Sequence, residues 1–234
     1  VAMKKICLSL CAIESLGPLQ GMRDLRVLKA YDNDLSSGVQ AGVHNDLMSL
    51  AMMPRLRDVN LHSNRIRDAS PLSNLKFYPE NSLHSLHLGN NALTNLKFLM
   101  TPVAACAELL GITPDSGGTA VVEHQEWNNL TSLILQHNHI QDLSAFAGAC
   151  LPDLRRLDLS SQKPEPDGAA STSVKDFILD LSPLTARTVN MPALRVLDLA
   201  DNRLRNVGKL GSANLPSLEE LDLSHNQLVD VGGL

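Results

Sequence analysis

The sequence predicts an α/β solenoid in which eight short parallel strands stack into one curved sheet. First, an eleven-residue pattern recurs, with leucines at its first, fourth, sixth and last positions and asparagine at its ninth. Second, aliphatic residues return at three-residue intervals after most copies. Third, aromatic residues make up only 3% of the 234 residues, which suits an interior built from leucines. A repeat at a fixed pattern is the signature of a stacked array.

The pattern places both the strands and the connections between them. Eight copies open at Met3, Leu25, Leu56, Leu83, Leu130, Leu154, Leu194 and Leu218. Within each copy, apolar and polar residues alternate, so we expect a strand with its leucines on one face. The three-residue spacing after the copies predicts 3₁₀ or short helical returns on the convex side. Residues 45–54 are predicted to form a convex-side helix.

The asparagine at the ninth position is expected to close a tight turn. Its amide can donate to and accept from backbone groups that would otherwise be buried without partners. A column that bridges adjacent coils is therefore predicted, formed by Asn33, Asn64, Asn91, Asn138, Asn202 and Asn226. Cys11 takes this place in the first copy, and the sixth copy deviates at Gln162.

Residues 1–234 are expected to form one repeat domain with two insertions. Residues 100–127 separate two copies by an unusual length, and residues 163–175 are rich in proline, serine and glycine, as loops are. Both ends break off within the pattern without a polar cap, which solenoid ends require. We therefore expect that the chain is a portion of a longer protein, or that a partner covers its ends.

These copies resemble the leucine-rich repeat. The short units with a three-residue return, such as residues 3–24, resemble its intracellular subfamily, typified by a regulatory subunit of protein phosphatase 1 and a dynein light chain. The resemblance covers essentially the whole chain. It implies a leucine-rich repeat solenoid of eight repeats, with strands on the concave face, that binds proteins in the cytoplasm. A cytoskeletal or ciliary assembly is one implied setting, and regulation of a phosphatase is the alternative.

Composition and motifs exclude several classes of function. A net charge of −5 and a pI near 5.9 give no basic footprint for direct nucleic-acid binding. No stretch has the length and apolarity of a membrane span, and no signal peptide is recognised. The four cysteines do not cluster, which favours a reducing compartment. The sequence lacks the motifs of phosphate loops, serine hydrolases and zinc proteases, so we expect neither an enzyme nor a cofactor.

The histidines raise the question of a metal site. His62 and His87 are both expected on the concave face of neighbouring strands, but at different positions along them. Two imidazoles without a carboxylate or thiolate companion make a poor zinc site. We therefore expect no bound metal and favour surface hydrogen bonding for both side chains.

The residues between the leucines are the candidates for partner binding. The central outward position is predicted to form a column of Cys7, Lys29, Asn60, His87, Ile134, Asp158, Asp198 and Asp222. Glu220 belongs to the column before it, and Tyr31 and His62 belong to the column after it. From these columns we select as partner-binding residues Lys29, Tyr31, His62, His87, Ile134, Asp158, Asp198, Glu220 and Asp222.

Two features of these columns have alternative explanations. The carboxylates gathered in the last three strands either keep the sheet surface hydrated or repel one another until a basic partner segment neutralises them. Tyr31 and Ile134 are expected to expose apolar surface, which is either random scatter or an anchor for a partner. Small residues in the third column, such as Gly89 and Ser160, would permit close approach of a partner.

Overall fold

The computed structural model describes residues 3–36, 47–77, 82–100, 127–163 and 181–234. Apart from Met100, Trp127 and Lys163, the two predicted insertions lie outside these residues. The predicted helix is described from residue 47 onward.

The described residues contain one parallel eight-stranded sheet in which each strand pairs with its sequence neighbours. The predicted fold class and the number of strands are thus confirmed. The strands are β1 Lys5–Cys7, β2 Val27–Lys29, β3 Asp58–Asn60, β4 Ser85–His87, β5 Ser132–Ile134, β6 Arg156–Asp158, β7 Val196–Asp198 and β8 Glu220–Asp222.

The core consists of aliphatic files that run along the array. The middle residue of each strand points inward, and from β2 to β7 this residue is buried, as Leu28, Leu133 and Leu197 show with 0% exposure. A second buried file lies two residues further along each coil and includes Leu61 and Leu159. Since every coil buries its leucines against the coils before and after it, stability depends on stacking.

The convex side is built from short helical returns, as the three-residue spacing predicts. Among the described residues, the 3₁₀ segments are Gly17–Leu19, Ser70–Phe77, Lys97–Leu99, Ser182–Thr185 and Leu210–Ser212. The same residues include two short α-helices, Leu47–Ala51 and Ala145–Gly148. The first of these helices confirms the predicted helix over its described part, but it ends at Ala51 and not at residue 54. Leu47 and Leu50 are buried within the helix, and Met53 is buried just beyond it.

The predicted asparagine column is present and joins successive coils. In Asn138, which is fully buried, Oδ1 accepts the Leu93 N–H at 2.9 Å, while Nδ2 donates to the Leu88 carbonyl at 3.0 Å. Nδ2 also donates to the Leu135 carbonyl of its own coil at 2.8 Å. The other five asparagines also accept a backbone N–H from the preceding coil through Oδ1 and donate to one of its carbonyls through Nδ2. In each of these six coils, one side-chain amide therefore pairs backbone groups that stacking removes from water.

The sixth coil keeps this column with a different residue. The Oε1 atom of Gln162 accepts the Ile140 N–H at 3.0 Å, and its Nε2 donates to the Leu135 carbonyl at 2.9 Å. Its longer side chain thus replaces asparagine where the sequence pattern fails. The residue before each column position, Ser161 in this coil, has a φ between 51° and 60° in all eight coils. This left-handed conformation forms the tight turn that leads out of every strand.

Candidate binding face

The residues that flank the buried middle of each strand form continuous columns on the opposite, concave side of the sheet. Strand register pairs Lys29 with Asn60, Asn60 with His87, and His87 with Ile134. It then continues from Ile134 through Asp158 and Asp198 to Asp222. The central column is therefore in the order that the sequence predicts, and Glu220 lies in the predicted column before it.

Tyr31 and His62 lie two residues beyond the ends of β2 and β3, and they are also neighbours. The Leu10 N–H donates to the Tyr31 carbonyl, and the Asp32 N–H donates to the His62 carbonyl. The third column thus continues the parallel ladder past the strand ends. Tyr31 and His62 are half-buried, whereas Lys29, Glu220 and Asp222 are exposed.

Ile134 corrects the expectation of exposed apolar surface at this position. Its side chain belongs to the concave column, but the residue is only 7% exposed, as is its neighbour Asp158. Alternation along a strand gives the side on which a residue lies, but not how closely its surroundings cover it. A partner therefore meets little of either residue, while Asp198 and Asp222 offer more surface.

The carboxylates of the central column have a local role that their spacing does not reveal. In Asp158, Asp198 and Asp222, Oδ1 accepts the backbone N–H two residues later at 3.1, 3.0 and 2.8 Å. Asn60 makes the same bond at 3.0 Å. These side chains therefore help to end the strand, and this role needs an acceptor oxygen rather than a negative charge.

Asp198 and Asp222, the two most accessible of these aspartates, have pKa values that are shifted in opposite directions. Burial raises the pKa of Asp198, although the hydrogen bond from the Ala200 N–H opposes this, and the neighbouring carboxylates Asp158 and Asp222 raise it further. Hydrogen bonds from Ser224 lower the pKa of Asp222. Asp198 therefore sits where negative charge is already crowded, and a cation placed there would relieve it.

The half of the sheet near β2–β4 differs from the acidic half because it contains a concavity. A concavity of about 220 Å³ is lined by residues of the first and central columns, including Val27, Lys29, Asp58 and His87. This is below the roughly 300–1,000 Å³ typical of small-molecule pockets, so it suits a protruding side chain better. A second, open concavity lies beyond the strand ends, lined in part by Ser63 and Arg65.

Burial lowers the pKa of His87, and the nearby His62 lowers it further.

The third column is less open than its small residues suggest. Gly89 is buried because the side chain of Gln136 lies against it, and a Cβ atom at Gly89 would come within 2.5 Å of Gln136 Oε1. Close approach by a partner at Gly89 would require Gln136 to move. Ser160 donates its hydroxyl to Asp158 at 2.7 Å, so it is already engaged locally.

The described residues contain no group of three or more histidine, cysteine, aspartate or glutamate side chains that could hold a metal ion. Within the same residues, no helix has the length and apolarity that crossing a membrane requires.

The parallel coils, the inward leucine files and the asparagine column together define a leucine-rich repeat solenoid. A family model described as Leucine Rich repeats (2 copies) matches residues 128–166 and 192–234. In these two segments the sequence is similar to the leucine-rich repeat family. A search of curated proteins finds no match.

Solved structures share this fold at low sequence identity. Internalin C2 from Listeria monocytogenes is 22% identical with a TM-score of 0.64, and the match covers 98% of this chain and 75% of that chain. The plant peptide hormone receptor RGFR1 in complex with RGF2 is 21% identical with a TM-score of 0.55, covering 96% and 28%. The TLR13–ssRNA13 complex is 21% identical with a TM-score of 0.56, covering 95% and 25%. At these identities the likeness concerns the fold alone.

Proposed function

We propose that this chain is a non-catalytic protein-interaction scaffold whose partner lies on the concave sheet. The observation that carries the proposal is the register of the outward columns, which places exposed charged residues of β1, β2, β3, β6 and β8 and the half-buried Asp198 of β7 on one surface. Extended sheet faces of this kind are the usual binding surfaces of solenoids. A structural neighbour, the plant receptor, is named as a peptide hormone receptor and is solved in complex with RGF2.

The proposed contacts divide between the two halves of the sheet. Tyr31 and His62 follow β2 and β3, two of the strands that line the 220 Å³ concavity, and would anchor the partner, because aromatic side chains concentrate binding energy. Near β7–β8, Asp198, Asp222 and Glu220 would hold a basic segment of the same partner. Ile134 and Asp158 contribute mainly by supporting their neighbours.

We place the role in the cytoplasm, in a cytoskeletal or ciliary assembly. The support for this setting is the resemblance of the short repeat units to the phosphatase regulatory subunit and the dynein light chain. Regulation of a phosphatase catalytic subunit is the second candidate, supported by the same resemblance. Recovery of that catalytic subunit with the chain from a cell lysate would favour the second candidate.

The test separates the charge of the aspartates from their structural role. Asp198→Asn/Asp222→Asn keeps the oxygen that accepts the backbone N–H, as Asn60 does, but removes both negative charges. We expect this variant to fold normally and to capture its partners about tenfold more weakly at low salt, with a smaller difference at high salt. Quantitative mass spectrometry of partners recovered from lysate measures the change.

The chain offers a matched control for this variant. Asp142 and Asp230 are exposed, lie on the convex returns and accept the N–H two residues later, just as the column aspartates do. Asp142→Asn/Asp230→Asn is expected to leave capture unchanged. Equal capture by both double variants and the parent chain would refute the acidic contact.

The insertions at 100–127 and 163–175 are the rival contact sites. Deleting each in turn and measuring partner capture compares its contribution with that of the concave sheet.

A further inference from the structure

A column of basic residues runs along the rim where the strands begin. One residue before each strand forms this rim column: Lys4, Arg26, Arg57, His84, Thr131, Arg155, Arg195 and Glu219. The carbonyl of each of the first seven members accepts two N–H groups from the next coil, as the Arg57 carbonyl does from His84 and Ser85. The rim column is therefore continuous through the whole sheet.

The charge of this edge opposes that of the chain. The first strand column consists of the first residue of each strand: Lys5, Val27, Asp58, Ser85, Ser132, Arg156, Val196 and Glu220. Together, the rim column and the first strand column hold seven lysines and arginines against three carboxylates, an excess of four positive charges. The chain as a whole carries −5. Most rim side chains are exposed, and Arg26 is half-buried. Positive charge is thus concentrated on one edge of an acidic protein, which creates a local field for anionic partners.

Few of these cations are neutralised within the protein. Arg195 lies 3.6 Å from Glu219 of the next coil, and both side chains are more than half exposed. In the first strand column, Arg156 lies 3.9 Å from the buried Asp158. Within the described parts of the chain, Lys4, Arg26, Arg57 and Arg155 form no ion pair with a carboxylate.

We propose that this rim binds an acidic, extended polypeptide segment that runs across the coils. Neighbouring rim residues are roughly 4.8 Å apart, so Lys4 and Arg195 are separated by about 29 Å along the array. An extended segment of about nine residues spans that distance at roughly 3.3 Å per residue. Arginine suits this role because its planar group can hold a carboxylate with two parallel hydrogen bonds.

The surroundings of the rim favour an acidic polypeptide over a nucleic acid. Asp158, Asp198 and Asp222 of the central column lie three residues along their strands, about 10 Å from the rim, and would repel any negatively charged polymer that extends beyond the rim column. Neither the rim column nor the first strand column contains a phenylalanine, tyrosine or tryptophan on which bases could stack. A polypeptide with separate acidic and basic segments would match both charged columns.

This inference deepens the proposed function and rests on it, because it supplies the chemistry of a second segment of the partner. Its test uses labelled decaglutamate and decauridine in a fluorescence anisotropy titration of the full chain at low salt. Arg57→Glu/Arg155→Glu/Arg195→Glu is expected to weaken decaglutamate binding about tenfold or more. The control variant Arg187→Glu/Arg205→Glu/Lys209→Glu changes the net charge by the same amount at exposed positions away from the rim. We expect it to change the affinity for decaglutamate less than about twofold.

Each outcome decides the proposal. Selective loss in the rim variant, with decauridine binding more weakly than decaglutamate, supports it. No binding of decaglutamate by the parent chain, equal loss in both triple variants, or tighter binding of decauridine overturns it. If the rim variant with glutamate does not fold, Arg57→Gln/Arg155→Gln/Arg195→Gln replaces it. We expect this variant also to weaken decaglutamate binding selectively, but by a smaller factor. Asp198→Asn/Asp222→Asn should not weaken decaglutamate binding, so failure of this proposal is distinct from failure of the acidic contact.

Discussion

Leu157→Ala is expected to lower the free energy of unfolding by about 2–5 kcal/mol, which is the range for truncation of a fully buried leucine. Leu157 has 0% exposure and is the middle residue of β6. It stands in register with Leu133 on one side and Leu197 on the other. The cavity would therefore remove contacts from two neighbouring coils as well as from its own. Urea unfolding followed by circular dichroism measures the change.

Leu221 provides the matched control because it holds the same position in β8, at the end of the sheet. It is only partly buried and pairs with one neighbouring strand in the described structure. We expect Leu221→Ala to cost less than half as much as Leu157→Ala. Equal costs would show that stacking between coils contributes little, contrary to the continuous files described above.

Asn138→Leu is expected to destabilise the fold by about 1–3 kcal/mol because it leaves buried backbone groups without partners. The substitution keeps the size of the side chain nearly constant, so lost hydrogen bonds dominate the result. The amide of Asn138 serves the Leu93 N–H and the carbonyls of Leu88 and Leu135. Without it, these groups lose a partner and are held away from water. The same unfolding experiment applies.

The comparison for this prediction is Asn226→Leu in the last coil. Asn226 makes similar bonds but is only partly buried, so water can replace its amide. We expect a smaller loss there. An unfolding midpoint for Asn138→Leu equal to that of the parent chain would exclude the structural role of the column.

The fold could be predicted from the sequence because local periodicity and global stacking require the same residues. Leucines at alternating positions predict a strand, and the recurrence of the pattern places each strand beside the next one in register. The asparagine column follows from the same recurrence. Gln162 could not be assigned from the pattern, because recognising it depends on the reach of its side chain to Ile140 and Leu135.

The candidate site was predicted in its order along the columns but not in its accessibility. Register follows from the pattern, so the neighbours of Asp198 are those expected. Burial depends on how surrounding groups pack, and Ile134 is therefore covered although alternation predicts it to face outward. The strand-ending bonds of the aspartates also depend on the turn conformation after each strand, which spacing alone does not give.

The rim column shows how alignment of the copies adds information. Arg26, Arg57 and Arg195 lie far apart in a sequence whose net charge is negative, and overall composition gave no sign of a basic patch. Their common place becomes visible once the coils are superposed, because each occupies the position after the first leucine of a copy. Such superposition can be made from the repeats themselves.

The most direct test of the account compares the two faces of the solenoid by site-specific photo-crosslinking. A photoreactive phenylalanine analogue would replace Tyr31 on the concave side in one variant and Lys97 or Ser212 in the convex returns in two others. We predict that the same partner crosslinks to the variant at Tyr31 and not to either convex variant, and that excess unlabelled chain competes with it. Crosslinking of that partner from the convex positions, with none from Tyr31, would contradict the concave binding face.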